Sequence, residues 1–316
     1  MSRFGTLPRR LAHLVIVLFG ITLVTFLLLR LIPGDPALAI LGSSYTHTRA
    51  VAIDNFLGLN RPIWVQYGLF MGRLVRGNLG FSFFYNLPAS TVIANHIAPT
   101  LFLVLYSAVL AAAISFPVGF YAGLRRGGVL DQASRVFFTL SFAMPAFWLG
   151  IILIIVFSVH LHVFPLNGFG SGFTGHLYNL FLPALTIALG FSTVLVRSLR
   201  AATIATLQAE FIDTAQMKGI PWTQVLWRHV FRNAVLAVVA VYGVNLAYLI
   251  SGTVLVENVF ALPGLGTLLV SSVSDRDYPV VQGVTLLFAV LIVAINLLTD
   301  IVQAALDPRV GQEIGD

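Results

Sequence analysis

The sequence predicts an all-α, polytopic membrane protein with six transmembrane helices and both termini on the cytoplasmic side. Composition is the first ground: of 316 residues, 58% are hydrophobic and 9% charged, whereas a soluble domain carries roughly 25% charged residues. A surface so poor in charge would not stay in water, and a chain so apolar would not stay disordered. The second ground is a set of six apolar stretches, each near the roughly 20 residues that a helix needs to cross a bilayer. The third is the placement of the arginines, which gather in alternate connections.

The first stretch, Leu11 to Leu31, follows Arg3, Arg9 and Arg10, and Ala37-Leu38-Ala39 lies beyond it. That outline is shared with signal peptides, but a signal core runs only about 7–15 residues, so a retained helix is expected. The second span lies near Pro99 to Tyr121, the third near Val136 to Val159 and the fourth near Phe181 to Val196. The fifth is Ala234 to Val256 and the sixth Val280 to Val302. The chain therefore divides into a tail and first helix (1–32), an extracytoplasmic loop (33–98), a five-helix core (99–306) and a tail (307–316). The core includes a cytoplasmic connection over 197–233.

Orientation follows from charge. Arg125, Arg126 and Arg135 lie in the second-to-third connection, and Arg197, Arg200, Lys218, Arg228 and Arg232 in the fourth-to-fifth. With six spans these share a side with Arg3, Arg9, Arg10 and Arg309. The other side holds only Arg49, Arg61, Arg73, Arg76 and Arg276, four of them spread over one long loop. The bias toward one side marks the cytoplasm. The formal charge of +6 is explained by this placement and does not call for a nucleic-acid partner.

The middles of the six spans hold no Asp, Glu, Lys or Arg. Ion-coupled transporters place coordinating groups near the midplane, so an ion-coupled secondary transporter is the less favoured class. The polar groups available at depth are Ser141, Ser192, Tyr242, Asn245 and Ser251. They either line a path for a polar solute or hydrogen-bond between helices and back to the backbone. Pro117, Pro145 and Pro183 sit within spans and are expected to kink them. Pro145, among Phe142, Phe147 and Trp148, is the one placed to shape a path.

Enzyme signatures are missing: there is no GxxxxGK[ST], HExxH or GxSxG sequence, and no cysteine. The chain is therefore read as non-catalytic, with no cofactor of its own. His160, His162 and His176 share one loop without a carboxylate, which makes a poor metal site. Gly119-x-x-x-Gly123 permits close helix approach, but a lone match carries little weight.

The connection from Arg197 to Asn233 is long for packed helices, where 2–8 residues are usual. Leu207, Phe211, Ala215 and Lys218 recur at helical spacing, with Glu210 and Asp213 on another flank. Gly219 offers a left-handed stop and Pro221 cannot continue the helix. A second stripe follows in Trp222, Leu226 and Val230. The prediction is helix, glycine turn, helix, suited to a groove on a cytoplasmic partner. An amphipathic helix resting on lipid is the other reading, disfavoured by the acidic first half.

The segment Glu210-Phe211-Ile212-Asp213-Thr214-Ala215-Gln216-Met217-Lys218-Gly219 resembles the EAA loop of ABC importer permeases. Asp213-Thr214-Ala215 stands at the Glu-Ala-Ala triplet and Gly219 at the family glycine. The general I-x-L-P ending is replaced by residues including His229, Phe231 and Arg232. Arg232-Asn233-Ala234 looks like the run usual in the dipeptide and oligopeptide branch. Four further segments resemble that branch's B-type permease subunit: Arg30 to Pro36, Gly77 to Ser82, Phe157 to Pro165, and Val256-Glu257-Asn258-Val259-Phe260 through Gly266. The resemblance covers nearly the whole chain.

It implies a type I ABC importer permease fold in a bacterial inner membrane. It further implies a second homologous permease subunit, two cytoplasmic ATPases that bind ATP and Mg, and an extracytoplasmic solute-binding protein. Contact with the ATPases would fall to Glu210, Phe211, Asp213, Thr214, Ala215, Lys218 and Gly219. Path-lining candidates are Ser141, Pro145, Ser192, Tyr242, Asn245 and Ser251. The outer loop, with Asp35, Asp54, Trp64 and Tyr85, either docks the binding protein or packs on itself as a cap. The expected cargo is a dipeptide or oligopeptide, with nickel or another small solute as the alternative within the branch.

Overall fold

The computed structural model describes residues 7–31, 46–48, 51, 55, 58, 60–82 and 84–306. Asp35 and Asp54 fall outside these residues, as does the 307–316 tail. The described residues are mostly helical, and the chain falls into two compact units.

The first unit joins residues 1–100 to 263–291. Its helix α1, Leu7–Leu31, is 25 residues long, or about 37 Å at 1.5 Å per residue. Helix α2, Ile63–Val75, packs on it through rings. Phe26 and Phe70 are buried, Tyr67 sits edge-on to Phe26 at 5.2 Å, and the Thr22 and Tyr67 hydroxyls are 3.0 Å apart. A two-residue hairpin follows, β1 Phe81–Ser82 antiparallel to β2 Leu87–Pro88. It leads directly into α3, Ala89–Leu124.

The hairpin meets the far end of the sequence. Helix α11, Leu265–Ser274, precedes α12, Tyr278–Leu306. Gly80 approaches so close to Pro279 that a Cβ there would lie 3.3 Å from the proline Cβ. Thr100 Oγ1 accepts the Leu265 N–H at 2.7 Å, which satisfies one of the donors that a helix start leaves orphaned. The Ser82 hydroxyl donates to the carboxyl of Asp277, both groups buried. Asp277 also meets the Val280 N–H as the cap of α12. Pro279 lacks an N–H, so the cap is made one residue further along. Burial pushes the Asp277 pKa up, the Ser82 and Val280 bonds opposing it. Its Oδ1 has no partner among the described residues.

The second unit joins residues 101–262 to 292–316. It comprises the rest of α3, then α4 (Val129–Ala143), α5 (Ala146–Leu153) and a π-helical extension over Ile154–His160. Helix α6 is Gly172–Asn179 and α7 is Phe181–Leu207. Helix α8 is Glu210–Met217 and the short α9 is Trp222–Gln224. A π-helical turn over Val225–Phe231 continues into α10, Arg232–Val259. Helix α7 is the hub, packed against α10, α4 and α5. Its apolar window is 72% buried, against 28% for α3.

Small residues and charge hold this hub. Gly119 and Gly123 bring α3 against Val196, Leu199 and Thr203 of α7, so the lone GxxxG match does mark a helix contact. Asp131 of α4 is wholly buried and receives the Arg200 guanidinium of α7 through two bonds, Nε at 2.5 Å and Nη2 at 2.9 Å. Thr193 Oγ1 donates to the Phe138 carbonyl at 2.9 Å.

Among the described residues, four helices are long and apolar enough to cross a membrane: Ala89–Leu124, Phe181–Leu207, Val238–Val259 and Tyr278–Gln303. The expected third span is not one helix. It is α4 and α5, bent by 110° at Met144-Pro145, and counts as a fifth span only as a broken pair. The cause is local: Pro145 excludes a helical bond and drives Met144 to an extended ψ of 132°. The described apolar part of α1 is the shorter stretch Val15–Leu27. The other two prolines are absorbed, Pro117 inside α3 and Pro183 in the first turn of α7.

Candidate coupling element

The connection after α7 is a sequence of short helices separated by defined turns. Helix α7 runs past the expected end at Val196 to Leu207, then breaks at Gln208-Ala209. Ala209 is extended, φ −82° and ψ 137°, so α8 starts in a new direction. Ala209 supplies no side-chain cap, but Glu210 and Asp213 place negative charge in the first turn, where the helix dipole favours it.

Helix α8 ends in a Schellman turn. Gly219 N–H donates to the Gln216 carbonyl at 2.9 Å and Ile220 N–H to the Ala215 carbonyl at 3.2 Å. This pairing needs a left-handed residue at the turn, and Gly219 supplies it with φ +72°. Pro221 then opens the next helix, where a missing N–H costs nothing.

The faces of this element differ from those read off the sequence. Because the break falls at Gln208-Ala209, Leu207 and Phe211 lie on separate helices. The buried positions of α8 are Ile212 and Ala215. Beyond the turn Val225 and Val230 are fully buried, five residues apart, which matches the wider π-helical turn they occupy. Helix α8 packs on this turn. Trp227 and Phe231 pack on buried Phe120 of α3, with ring centroids 5.7 and 5.0 Å away.

Seven residues were expected to make the partner contact. Glu210, Phe211, Asp213, Thr214, Lys218 and Gly219 are exposed, while Ala215 is buried on the protein side. The sequence reading omitted Met217, which is 82% exposed, and Trp222 at 48%. With Phe211 at 46% they present large apolar side chains to solvent, among Glu210, Asp213 and Lys218. An apolar centre rimmed by charge is the anatomy of a protein–protein contact. The signal lay in the sequence: an apolar residue off the buried face of an eight-residue helix.

Four of the six path candidates bond to backbone carbonyls. Ser141 Oγ donates to Phe137 O at 2.9 Å and Asn245 Nδ2 to Val241 O at 2.8 Å, both within their own helix. Tyr242 Oη crosses to Ala108 O at 2.7 Å, and Ser192 Oγ reaches Ala111 O at 3.5 Å. Ser251 and Pro145 are exposed. Of the outer-loop candidates, Trp64 is 73% exposed on α2. Tyr85 is half-buried, its N–H on Ser82 Oγ at 3.0 Å. Nδ1 of His160, of His162 and of His176 each lies within hydrogen-bond distance of a backbone carbonyl.

Residues 115–312 match the family described as binding-protein-dependent transport system inner membrane component. Residues 1–102 match the N-terminal region of membrane components of such systems. A putative peptide transport system permease protein of Brucella suis is 39% identical over 309 residues, 96% of this chain and 97% of that one. The oligopeptide transport system permease protein AppB of Bacillus subtilis is 35% identical over 308 residues, 96% and 98% of the two chains. A probable peptide ABC transporter permease of Sinorhizobium fredii is 34% identical over 305 residues, 96% and 97%. The inward-facing MetNI methionine ABC transporter structure matches with a TM-score of 0.56 at 16% identity. That match covers 68% of this chain and 96% of that one, a likeness of fold.

Proposed function

The chain belongs to the family of inner-membrane components of binding-protein-dependent transport systems, and from that premise we propose that it is the permease subunit of an ATP-driven peptide importer. It is a non-catalytic membrane subunit. Its relatives in three genera, matched over nearly their full lengths, carry peptide or oligopeptide permease names.

The observation that carries the mechanism is the exposed face of α8 above its buried Ile212 and Ala215. ATP and Mg belong to two partner ATPases in the cytoplasm, and a second permease subunit encloses the path with this one. The six-span topology with cytoplasmic termini counts α1 and the broken α4–α5 pair as spans. ATP-driven closure of the ATPases moves α8 through Phe211, Met217 and the neighbouring charges. The Schellman turn and the Val225–Val230 seam pass that movement to α10, and Phe120 passes it to α3. To shift the permease between states, the ATPases must grip α8 differently in each. An extracytoplasmic solute-binding protein delivers cargo to the face that carries Trp64 and Tyr85.

The test is reconstitution of the whole transporter in liposomes with its binding protein. Uptake of labelled peptide is expected to require ATP and to persist when the proton gradient is collapsed. Met217→Asp is expected to lower stimulated ATP hydrolysis at least tenfold while the complex still assembles. Uptake driven by a proton or sodium gradient without ATP refutes the reading.

A further inference from the structure

We propose that the cavity between the start of α4 and the end of α7 binds the phosphate headgroup of an anionic phospholipid. The cavity measures about 550 Å³ and is lined by Arg126, Arg135, Arg200 and Asp131, with Ile204 and Ala205 among its apolar walls. The lining holds three arginines and one carboxylate, so it carries a net positive charge.

The charges divide into a fixed base and two open arms. Arg200 is held by Asp131 through Nε and one Nη2 proton, which leaves three of its five N–H groups unspent on that pair. Its side chain is 22% exposed. Arg135 lies 3.6 Å from the same carboxylate but is 57% exposed, and Arg126 is exposed. A planar fork of donors preset by a buried partner, with two exposed arginines beside it, is suited to phosphate oxygens.

A lipid is favoured over a free anion by the setting. On the face of α4 that carries Arg135, Phe142 is 64% exposed two turns further along. Basic pockets between transmembrane helices take anionic headgroups. The site is at the ends of two helices of a membrane component, where headgroups reside. It depends on neither the cargo nor the ATPase contact.

The experiment titrates the purified, assembled transporter in detergent with dioleoyl-phosphatidylglycerol and reads bound lipid by native mass spectrometry. Dioleoyl-phosphatidylcholine and inorganic phosphate are the parallel arms. Phosphatidylglycerol is expected to bind preferentially. A charge near the membrane surface contributes about fivefold in affinity, so Arg126→Gln with Arg135→Gln is expected to weaken it about thirtyfold. Arg135→Lys keeps the charge and is expected to stay within about fivefold of the parent. Arg73→Gln, a change on the exposed face of α2, is expected to leave binding unchanged. The proposal is overturned if the double variant binds phosphatidylglycerol as the parent does, or if phosphatidylcholine binds equally well. It is also overturned if inorganic phosphate competes at the same concentration, which would make the ligand a soluble anion.

Discussion

Replacing Gly123 by Ala tests whether the α3–α7 contact is as close as its geometry indicates. A Cβ at Gly123 would lie 2.6 Å from Thr203 Cβ, 2.8 Å from Thr203 Cγ2 and 3.1 Å from the Arg200 carbonyl oxygen. Carbon atoms rest about 3.5–4.0 Å apart, so the helices must separate by roughly 1 Å. Thr203 Cβ and the carbonyl are fixed to the backbone, and no change of rotamer moves them. Overpacking of this kind costs about 1–3 kcal/mol, and the upper part of that range is expected here. Gly119→Ala meets Leu199 Cβ and the Val196 carbonyl at 3.0 Å, a smaller displacement, and should cost about 1 kcal/mol. Gly190→Ala on α7 meets nothing within 4 Å and should be neutral or gain up to about 1 kcal/mol from helix propensity. The assay is the thermal midpoint of the purified transporter, in which each kcal/mol moves a large domain by about 2–4 °C. Adding Thr203→Gly to Gly123→Ala should recover at least half the loss, because the added methyl then fills the vacated space. Equal midpoints for Gly123→Ala and Gly190→Ala, or strict additivity in the double variant, would refute the packing argument.

Two further outcomes follow from single residues. At Gly219 the constraint is conformational: a Cβ would meet nothing within 4 Å, but φ is +72°. Gly219→Asn should retain most peptide-stimulated ATP hydrolysis, whereas Gly219→Val, at about 1–2 kcal/mol of left-handed strain, should lose most of it; equal activities would show that the turn does not matter. Asp277 has a folded-state pKa raised above its unfolded value by burial. Its contribution to stability is therefore complete below the unfolded pKa of about 3.9 and is lost as pH rises through the folded value. Asp277→Asn keeps the cap and the Ser82 bond but cannot ionise, so its midpoint relative to the parent should rise between pH 4 and pH 8. A pH-independent difference would rule out a buried, ionisable Asp277.

What the sequence made legible was local chemistry. Gly219 and Pro221 announced a stop and a restart two residues apart, and the structure has both. The membrane class followed from composition, and the arginine-bearing connections bound the helices. The buried face of α8 was not legible, because the break at Gln208-Ala209 carries neither glycine nor proline. Periodicity counted across it joined Leu207 to Phe211, and Ile212 took the place expected of Phe211. The π-helical turn at Val225–Phe231 has a five-residue repeat that a 3.6-residue template does not register. Asp131 was passed over because it lay just outside the expected third span. Only the fold brings Arg200, 69 residues later, beside it. The ring contacts of α1 with α2 were equally hidden, since a phenylalanine among leucines signals apolarity and not a partner.

The tie between Ser82 and Asp277 spans 195 positions of the chain, and that between Thr100 and Leu265 spans 165. At roughly 5–20 residues per second, a ribosome reaches the matching segment some ten to forty seconds after the hairpin has been made. Throughout that interval the hairpin's serine and the buried side of Gly80 have no counterpart to close against. Quality-control proteases would meet an unfinished first unit in every nascent copy. A transcript truncated before the 265–283 segment would yield a protein that inserts its early helices and still cannot mature.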